Sequence, residues 1–260
     1  MNHDEMTGNL FVTGIGSGNP RQITTEVQEV LESCDYIAGY DTYINLIKNS
    51  FPGKKFISTP MRKEEERCTL ALETASKGKN VAFICSGDAG VYGLAGLIYE
   101  MSPRFPTVMI HVLPGITAAL SGAGILGAPL IHDFAIISLS DLMTPWEKIE
   151  KRLECASQAD FSIVLYNPMS HKRKDYLFKA CEILMKALPA STPCGYVKNI
   201  GREGQEAKIL SLEELSRETV DMFTTVFIGN SSTKVIDTPS GKKLVTPRGY
   251  SFEKGDEDGN

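Results

Sequence analysis

Val81-Ala82-Phe83-Ile84-Cys85-Ser86-Gly87-Asp88-Ala89-Gly90-Val91-Tyr92-Gly93 is the stretch that decides the fold class. Its first five residues form an unbroken apolar run, and polar Asn80 opens the expected strand ahead of them. Such a run predicts a strand buried on both faces, the habit of parallel sheets covered by helices. The strand stops at a glycine-rich connection, where missing side chains let backbone come close to a ligand. Two other strands end the same way. Leu10–Thr13 feeds Gly14-Ile15-Gly16-Ser17-Gly18, and Val108–Leu113 ends at Pro114-Gly115-Ile116-Thr117-Ala118. Ligands of open α/β sheets collect at the carboxyl ends of strands, so one crevice is expected to use all three ends.

Working outward, Val27, Val30 and Leu31 share one face of a helix predicted over Thr24–Ser33, with Thr24 or Thr25 as its cap. A strand is predicted at Tyr36–Gly39, with helices over Thr42–Lys48 and Arg62–Lys77. A second α/β region begins near Gly127. It is read as strands Phe134–Leu139, Phe161–Tyr166, Cys194–Val197 and Thr225–Ile228, with helices Pro145–Ala156, Tyr176–Leu188 and Leu212–Glu218. The organisation is therefore an N-terminal α/β domain over 1–122, a C-terminal α/β domain over 123–250 and an acidic tail over 251–260.

Composition excludes several function classes. The 260 residues are 42 % hydrophobic and 23 % charged, an ordinary globular mixture. A formal net charge of -5 supplies no broad field for nucleic acid or an anionic membrane. No apolar run is long enough for a transmembrane helix, and the first residues lack a secretory pattern. The six cysteines contain no CxxC pair, so no zinc or iron-sulfur site is expected. They read as reduced, mostly buried thiols of a cytoplasmic protein.

The polar candidates each have two readings. Asp88 and Thr117 can contact a ligand, or can cap a helix and satisfy a strand-end carbonyl. Asn167, between an apolar strand and Pro168, can bind a ligand or make a turn. The first turn does not complete the GxGxxG spacing of a dinucleotide site. His132 titrates near neutral pH, and Asp133 can orient it, which makes them the catalytic candidates; adjacent strand residues nevertheless point to opposite faces.

Taken together, Gly14–Gly18, Ser86–Gly93, Pro114–Ala118, Gly127–Phe134 and Tyr166-Asn167-Pro168 resemble the ordered motifs of the tetrapyrrole methyltransferases. Ile137–Leu142, Thr144-Pro145-Trp146 and Thr246–Tyr250 resemble the branch acting on carbon 17. The resemblance implies two α/β domains with S-adenosyl-L-methionine in an interdomain cleft. It also implies a corrin precursor as partner, and homodimerisation. The implied reaction is methylation of cobalt-precorrin-3 at carbon 17 with ring contraction, in cobalamin biosynthesis. Cobalt enters only as part of the substrate, and the protein itself is expected to hold no metal. By the same resemblance Gly87, Asp88, Val91, Thr117, Ala118 and Asn167 surround the cofactor, with Gly195, Tyr196 and Thr225 completing an adenine pocket. Gly14, Ser17, Ser138, Ser140 and Asp141 are candidates for substrate contact, and Arg248 for a carboxylate clamp. Lys172 and Arg173 are weaker candidates, since a lysine or arginine pair is as readily a solvated surface. The competing readings are the oxygen-dependent route with precorrin-3B, another tetrapyrrole methyltransferase, and a non-catalytic cofactor-binding regulator.

Overall fold

The computed structural model describes residues 8–170 and 173–250. Lys172 and the tail over 251–260 therefore lie outside the described residues. The chain divides into two compact units, Met1–Ser121 and Gly122–Asn260.

In the first unit the elements run β1 (Gly8–Gly14), α1 (Thr25–Ser33), β2 (Tyr36–Tyr40), α2 (Asp41–Ile47), β3 (Lys55–Thr59), α3 (Glu64–Ala75), β4 (Val81–Cys85), α4 (Ala95–Met101) and β5 (Val108–Leu113). The strands form one parallel sheet in the order β3-β2-β4-β1-β5. β4 lies at its centre with all five residues buried. Its alternation explains the unbroken apolar run. Val81, Phe83 and Cys85 pack with Cys68, Ala71 and Leu72 of α3 and Ile98 of α4. Ala82 and Ile84 face the opposite way, toward Val27 and Leu31 of α1 and Ile44 and Ile47 of α2. Each large side chain buried this way, Phe83 for instance, contributes roughly 1.5–3 kcal/mol of transfer free energy. Thr24 is the residue that caps α1, its hydroxyl accepting from the Val27 N–H at 3.3 Å.

α5 (Ala118–Leu126) leads into the second unit, which continues with β6 (Gly127–Ala128), β7 (Phe134–Ser138), α6 (Trp146–Gln158), β8 (Ser162–Tyr166), α7 (Tyr176–Leu184), β9 (Pro193–Lys198), β10 (Glu206–Ser211), α8 (Leu212–Ser216), β11 (Thr224–Ile228), β12 (Lys234–Thr238) and β13 (Gly241–Val245). Its main sheet runs β10-β9-β11-β8-β7 and is mixed, with only β7 and β8 parallel. A core that includes Leu139, Ile149, Leu153, Leu177, Leu184 and Leu215 joins one face of this sheet to α6, α7 and α8. β12, β13 and β6 make a separate three-stranded sheet.

Several boundaries differ from the sequence-based expectation. β1 extends to Gly8 because Gly8 and Asn9 pair with Val108 and Met109 of β5. Pro145 is not helical: its ψ of 144° makes it the residue before α6. α7 ends at Leu184, four residues early, where the chain turns toward Pro189. Strands β3, β10, β12, β13 and β6 and helices α4 and α5 lie outside the sequence-based expectation. The first two are sheet edges and the next two a hairpin, all largely exposed, so hydrophobic patterning carries little signal for them.

Candidate active site

The carboxyl ends of β1, β4 and β5 meet in a backbone junction. Past the ends of β1 and β4, the Ile15 N–H donates to the Cys85 carbonyl at 2.9 Å. Gly16 and Gly87 then exchange two bonds, Gly16 N–H to Gly87 O at 3.1 Å and Gly87 N–H to Gly16 O at 2.7 Å. Gly87 holds φ +69°, a left-handed conformation that glycine adopts without a Cβ penalty. Gly115 closes the junction from β5. A Cβ built on it would lie 2.2 Å from the Gly87 carbonyl oxygen and 2.4 Å from that of Gly14.

Asp88 fastens this arrangement. One carboxylate oxygen accepts the N–H groups of Gly90 at 2.7 Å and Val91 at 3.0 Å. The other accepts the Gly115 N–H at 2.8 Å, tying the loop after β4 to the loop after β5. Asp88 therefore holds two loops in place and does not cap a helix, since α4 begins only at Ala95. Thr117 immediately precedes α5, its carbonyl accepting from the N–H groups of Leu120 at 3.0 Å and Ser121 at 3.1 Å. The Cβ position of Gly87 lies 3.4 Å from Thr117 Cα and 3.7 Å from Ala118 N. Gly87, Asp88, Val91, Thr117 and Ala118 thus form one cradle of small residues and positioned backbone.

Gly14 and Ser17 sit within the packing of the same junction. Gly14 is buried, with Gly87 O and Gly115 N at 2.6 and 2.7 Å from its Cβ position. Ser17 is buried, and its hydroxyl donates to Gln22 Oε1 at 2.8 Å. Their observed part is in shaping the first turn.

A second constellation stands at the carboxyl ends of β7 and β8. Asn167, at φ +53°, donates from Nδ2 to Ser138 Oγ at 2.9 Å, and Ser138 Oγ also accepts the Ser140 N–H at 3.2 Å. Arg173 Nη1 donates to Ser140 Oγ at 2.7 Å and to Asp141 Oδ1 at 3.1 Å, while its Nε reaches Ser170 Oγ at 3.1 Å. Tyr176 donates its hydroxyl proton to Asp141 Oδ2 at 2.6 Å and packs on Trp146 with ring centroids 4.5 Å apart. That hydrogen bond first, and the Arg173 guanidinium further on, hold the Asp141 carboxyl below the usual carboxylate range. Arg173, the weaker clamp candidate for which a solvated surface is the competing reading, has a side chain only 16 % exposed and organises this cluster. No local sequence signal joins it to Asp141, 32 positions away.

The depressed Asp141 pKa has a signed consequence. Its contribution to stability is present above the ordinary carboxylate pKa and is lost as pH falls through the lowered folded-state value. Tyr176→Phe removes the leading cause, so the carboxyl titration followed by NMR is expected to move upward and the loss to begin at higher pH. An unmoved Asp141 titration would refute the assignment.

Other anticipated groupings come apart. His132 and Asp133 are exposed and precede Phe134, the first residue of β7, whereas Ser138 and Asn167 lie at its far end. A five-residue strand separates them by roughly 15 Å, so they do not join that cluster. Gly195, Tyr196 and Thr225 do not line one pocket surface of the sheet. Alternation sends Tyr196 to the helix-covered face, its hydroxyl donating to Glu218 Oε2 at 3.3 Å, while Gly195 faces the other way against Leu126. Thr225 is opposite Val197 and buried on the Gly195 side. Arg248 is exposed and makes no ion pair among the described residues. Thr246 of the same motif is wholly buried and anchors the segment, donating to Pro129 O at 2.7 Å.

Five of the six cysteines are buried. Burial pushes the thiols of Cys68 and Cys181 up to about 12 and that of Cys85 to about 11, which leaves them protonated and unreactive. Among the described residues no group of three His, Cys, Asp or Glu side chains is placed to hold a metal ion.

A parallel sheet whose glycine-bearing strand ends build a cradle of close backbone defines an α/β protein with a ligand site at the carboxyl ends of its strands. The chain belongs to the Tetrapyrrole (Corrin/Porphyrin) Methylases, whose family model matches residues 9–216, and it is a methyltransferase. It is 45 % identical over 244 residues to the probable cobalt-factor III C(17)-methyltransferase of Salmonella typhimurium, covering 94 % of this chain and 100 % of that one. The precorrin-3B C(17)-methyltransferase of a Sinorhizobium species is 37 % identical, covering 95 % and 98 %. Some other curated relatives are longer, and the chain spans about half their length. The crystal structure of the methyltransferase CobJ superposes with a TM-score of 0.85 at 34 % identity, covering 93 % of this chain and 100 % of that one.

Proposed function

We propose that this chain transfers the methyl group of S-adenosyl-L-methionine to carbon 17 of a cobalt-containing precorrin-3 and promotes contraction of the macrocycle, a step of cobalamin biosynthesis. The observation that carries the reading is 45 % identity over the full length of a relative named for C(17) methylation of cobalt-factor III. The lower identity, 37 %, to the relative named for precorrin-3B favours the cobalt-containing substrate.

Gly87, Asp88, Val91, Thr117 and Ala118 fit the donor, since close backbone and a fixed carboxylate suit a compact cation with polar ends. The donor supplies an electrophilic methyl group on a sulfonium. The chain holds it in place and keeps the cradle backbone from shifting. Asn167 is assigned to the cofactor and Ser138, Ser140 and Asp141 to the substrate, with Arg173 fixing the orientation of Ser140 and Asp141. Gly195 and Thr225 are kept as adenine contacts and Arg248 as the exposed carboxylate clamp, whereas His132 and Asp133 are left without an acid–base role. Homodimerisation and a cytoplasmic location belong to the same reading; no described helix is long and apolar enough to cross a membrane.

Anaerobic mass spectrometry with methyl-labelled donor tests the assignment. Cobalt-precorrin-3 is expected to gain one labelled methyl group, located by fragmentation at carbon 17, and His132→Ala is expected to give the same product at an undiminished rate. Turnover of metal-free precorrin-3B alone would move the enzyme to the oxygen-dependent route. Folded protein that binds S-adenosylhomocysteine yet methylates neither would overturn the reading.

A further inference from the structure

Arg67 of α3 is 3 % exposed, a charged side chain within a sheet-and-helix core. Its Nη1 donates to Thr59 Oγ1 at 2.6 Å, with longer bonds to the carbonyls of Thr59 and Pro60 at 3.4 Å. The guanidinium carbon stands 5.9 Å from the centre of the Tyr40 ring. All of these partners are neutral. No carboxylate lies within 4.0 Å of Arg67 among the described residues, and its Nε is buried without a hydrogen-bond partner.

That situation is unusual because a charge removed from water without a counter-charge costs several kcal/mol. Carboxylates are close at hand in sequence, since Glu64, Glu65 and Glu66 fill the first turn of α3. Two of them are engaged elsewhere: Glu64 accepts the Arg62 N–H at 3.2 Å, and Glu66 pairs with Lys63 at 3.1 Å on the surface. The chain has thus buried a guanidinium and left its anion out.

Tyr40 and Thr59 are the last residues of β2 and β3, and β2 adjoins β4 in the parallel sheet. Arg67 therefore sits at the same carboxyl edge as the Gly14–Gly87–Gly115 junction. With neighbouring strands about 4.8 Å apart, Thr59 on β3 is roughly 10 Å along that edge from the end of β4. The loop after β3 runs through Pro60 and Met61 to the basic residues Arg62 and Lys63, the latter paired with Glu66.

We propose that Arg67 is an anion-recognition residue that receives a peripheral carboxylate of the tetrapyrrole, supplying the missing counter-charge and setting which edge of the macrocycle lies over β2 and β3. This inference rests on the tetrapyrrole reading above. A guanidinium suits the task because its planar fork matches a carboxylate, whereas a lysine offers only a point charge.

Two variants separate recognition from simple scaffolding. Arg67→Lys keeps the charge, and Arg67→Gln keeps a donor for Thr59 without it. With cobalt-precorrin-3 as substrate, Arg67→Gln is expected to raise the tetrapyrrole KM by at least about tenfold, equivalent to about 1.4 kcal/mol, with the KM for S-adenosyl-L-methionine unchanged. Arg67→Lys is expected to recover much of that loss. Unchanged tetrapyrrole KM in both variants, or recovery by Gln instead of Lys, would overturn the proposal. A separate arm reads the anion site alone: citrate is expected to raise the thermal midpoint of the wild-type protein and not of Arg67→Gln. Absence of that difference would sink the anion site even if methyl transfer succeeds, while its presence without methyl transfer would fault the tetrapyrrole reading only.

Discussion

Gly115→Ala is expected to destabilise the protein by about 3 kcal/mol or more, the upper end of the usual cost of overpacking, and to abolish measurable donor binding. The added methyl would meet Gly87 O at 2.2 Å and Gly14 O at 2.4 Å. Both obstacles are backbone, so no rotamer change relieves them. Relief requires the ends of β1, β4 and β5 to separate, which breaks the Gly16–Gly87 pair of hydrogen bonds. The check is a denaturant midpoint for folding and a calorimetric titration with S-adenosylhomocysteine for the cradle. Gly96→Ala is the internal control. Nothing lies within 4 Å of its Cβ position on α4, so it should be neutral or stabilise by up to about 1 kcal/mol through helix propensity. Equal stability of the two variants would show that the junction yields more easily than its geometry implies.

The second large effect belongs to Asp88→Ala. Its carboxylate accepts three backbone N–H groups, from Gly90, Val91 and Gly115. Hydrogen bonds to a charged acceptor contribute about 1.5–3 kcal/mol each when buried, and water recovers part of that at a half-buried site, so a loss of about 3 kcal/mol is expected. Donor affinity should fall more than stability suggests, by at least about tenfold, because the loops after β4 and β5 lose the tie that sets their spacing. Asp88→Asn should fall between, since its amide keeps one acceptor oxygen and turns the other into a donor facing an N–H. Retained affinity for S-adenosylhomocysteine in Asp88→Ala would remove Asp88 from the binding assignment. The same titration on Asp141→Ala, in the second unit, provides a comparison at a carboxylate tied mainly to side chains.

These expectations draw on different amounts of sequence information. The apolar run Val81–Cys85 and the glycines after it were sufficient to announce a buried parallel strand with a ligand end, because periodicity and missing side chains are local properties. Edge strand β3 was silent for the converse reason: Lys55–Thr59 buries fully only Thr59, so its sequence carries no apolar pattern.

Arg67 and Arg173 show the limit most clearly. In the sequence each is one basic residue in a polar neighbourhood, Glu64-Glu65-Glu66-Arg67 and Lys172-Arg173-Lys174, and nothing distinguishes them from solvated charges. Tertiary structure assigns them opposite conditions: Arg173 receives Asp141 from 32 positions away, and Arg67 is buried among neutral partners. Gly195, Tyr196 and Thr225 divide on the same ground, since strand alternation and pairing put Tyr196 on one face and Gly195 and Thr225 on the other. His132 looked catalytic by chemistry alone, and its position before β7 parts it from Ser138 and Asn167. The sequence by itself determined the class of fold, the three glycine-bearing strand ends and the family motifs, all written in contiguous residues. Only the tertiary structure decided which charges are paired, which are buried alone and which loops are tied together, because those depend on contacts between residues far apart in the chain.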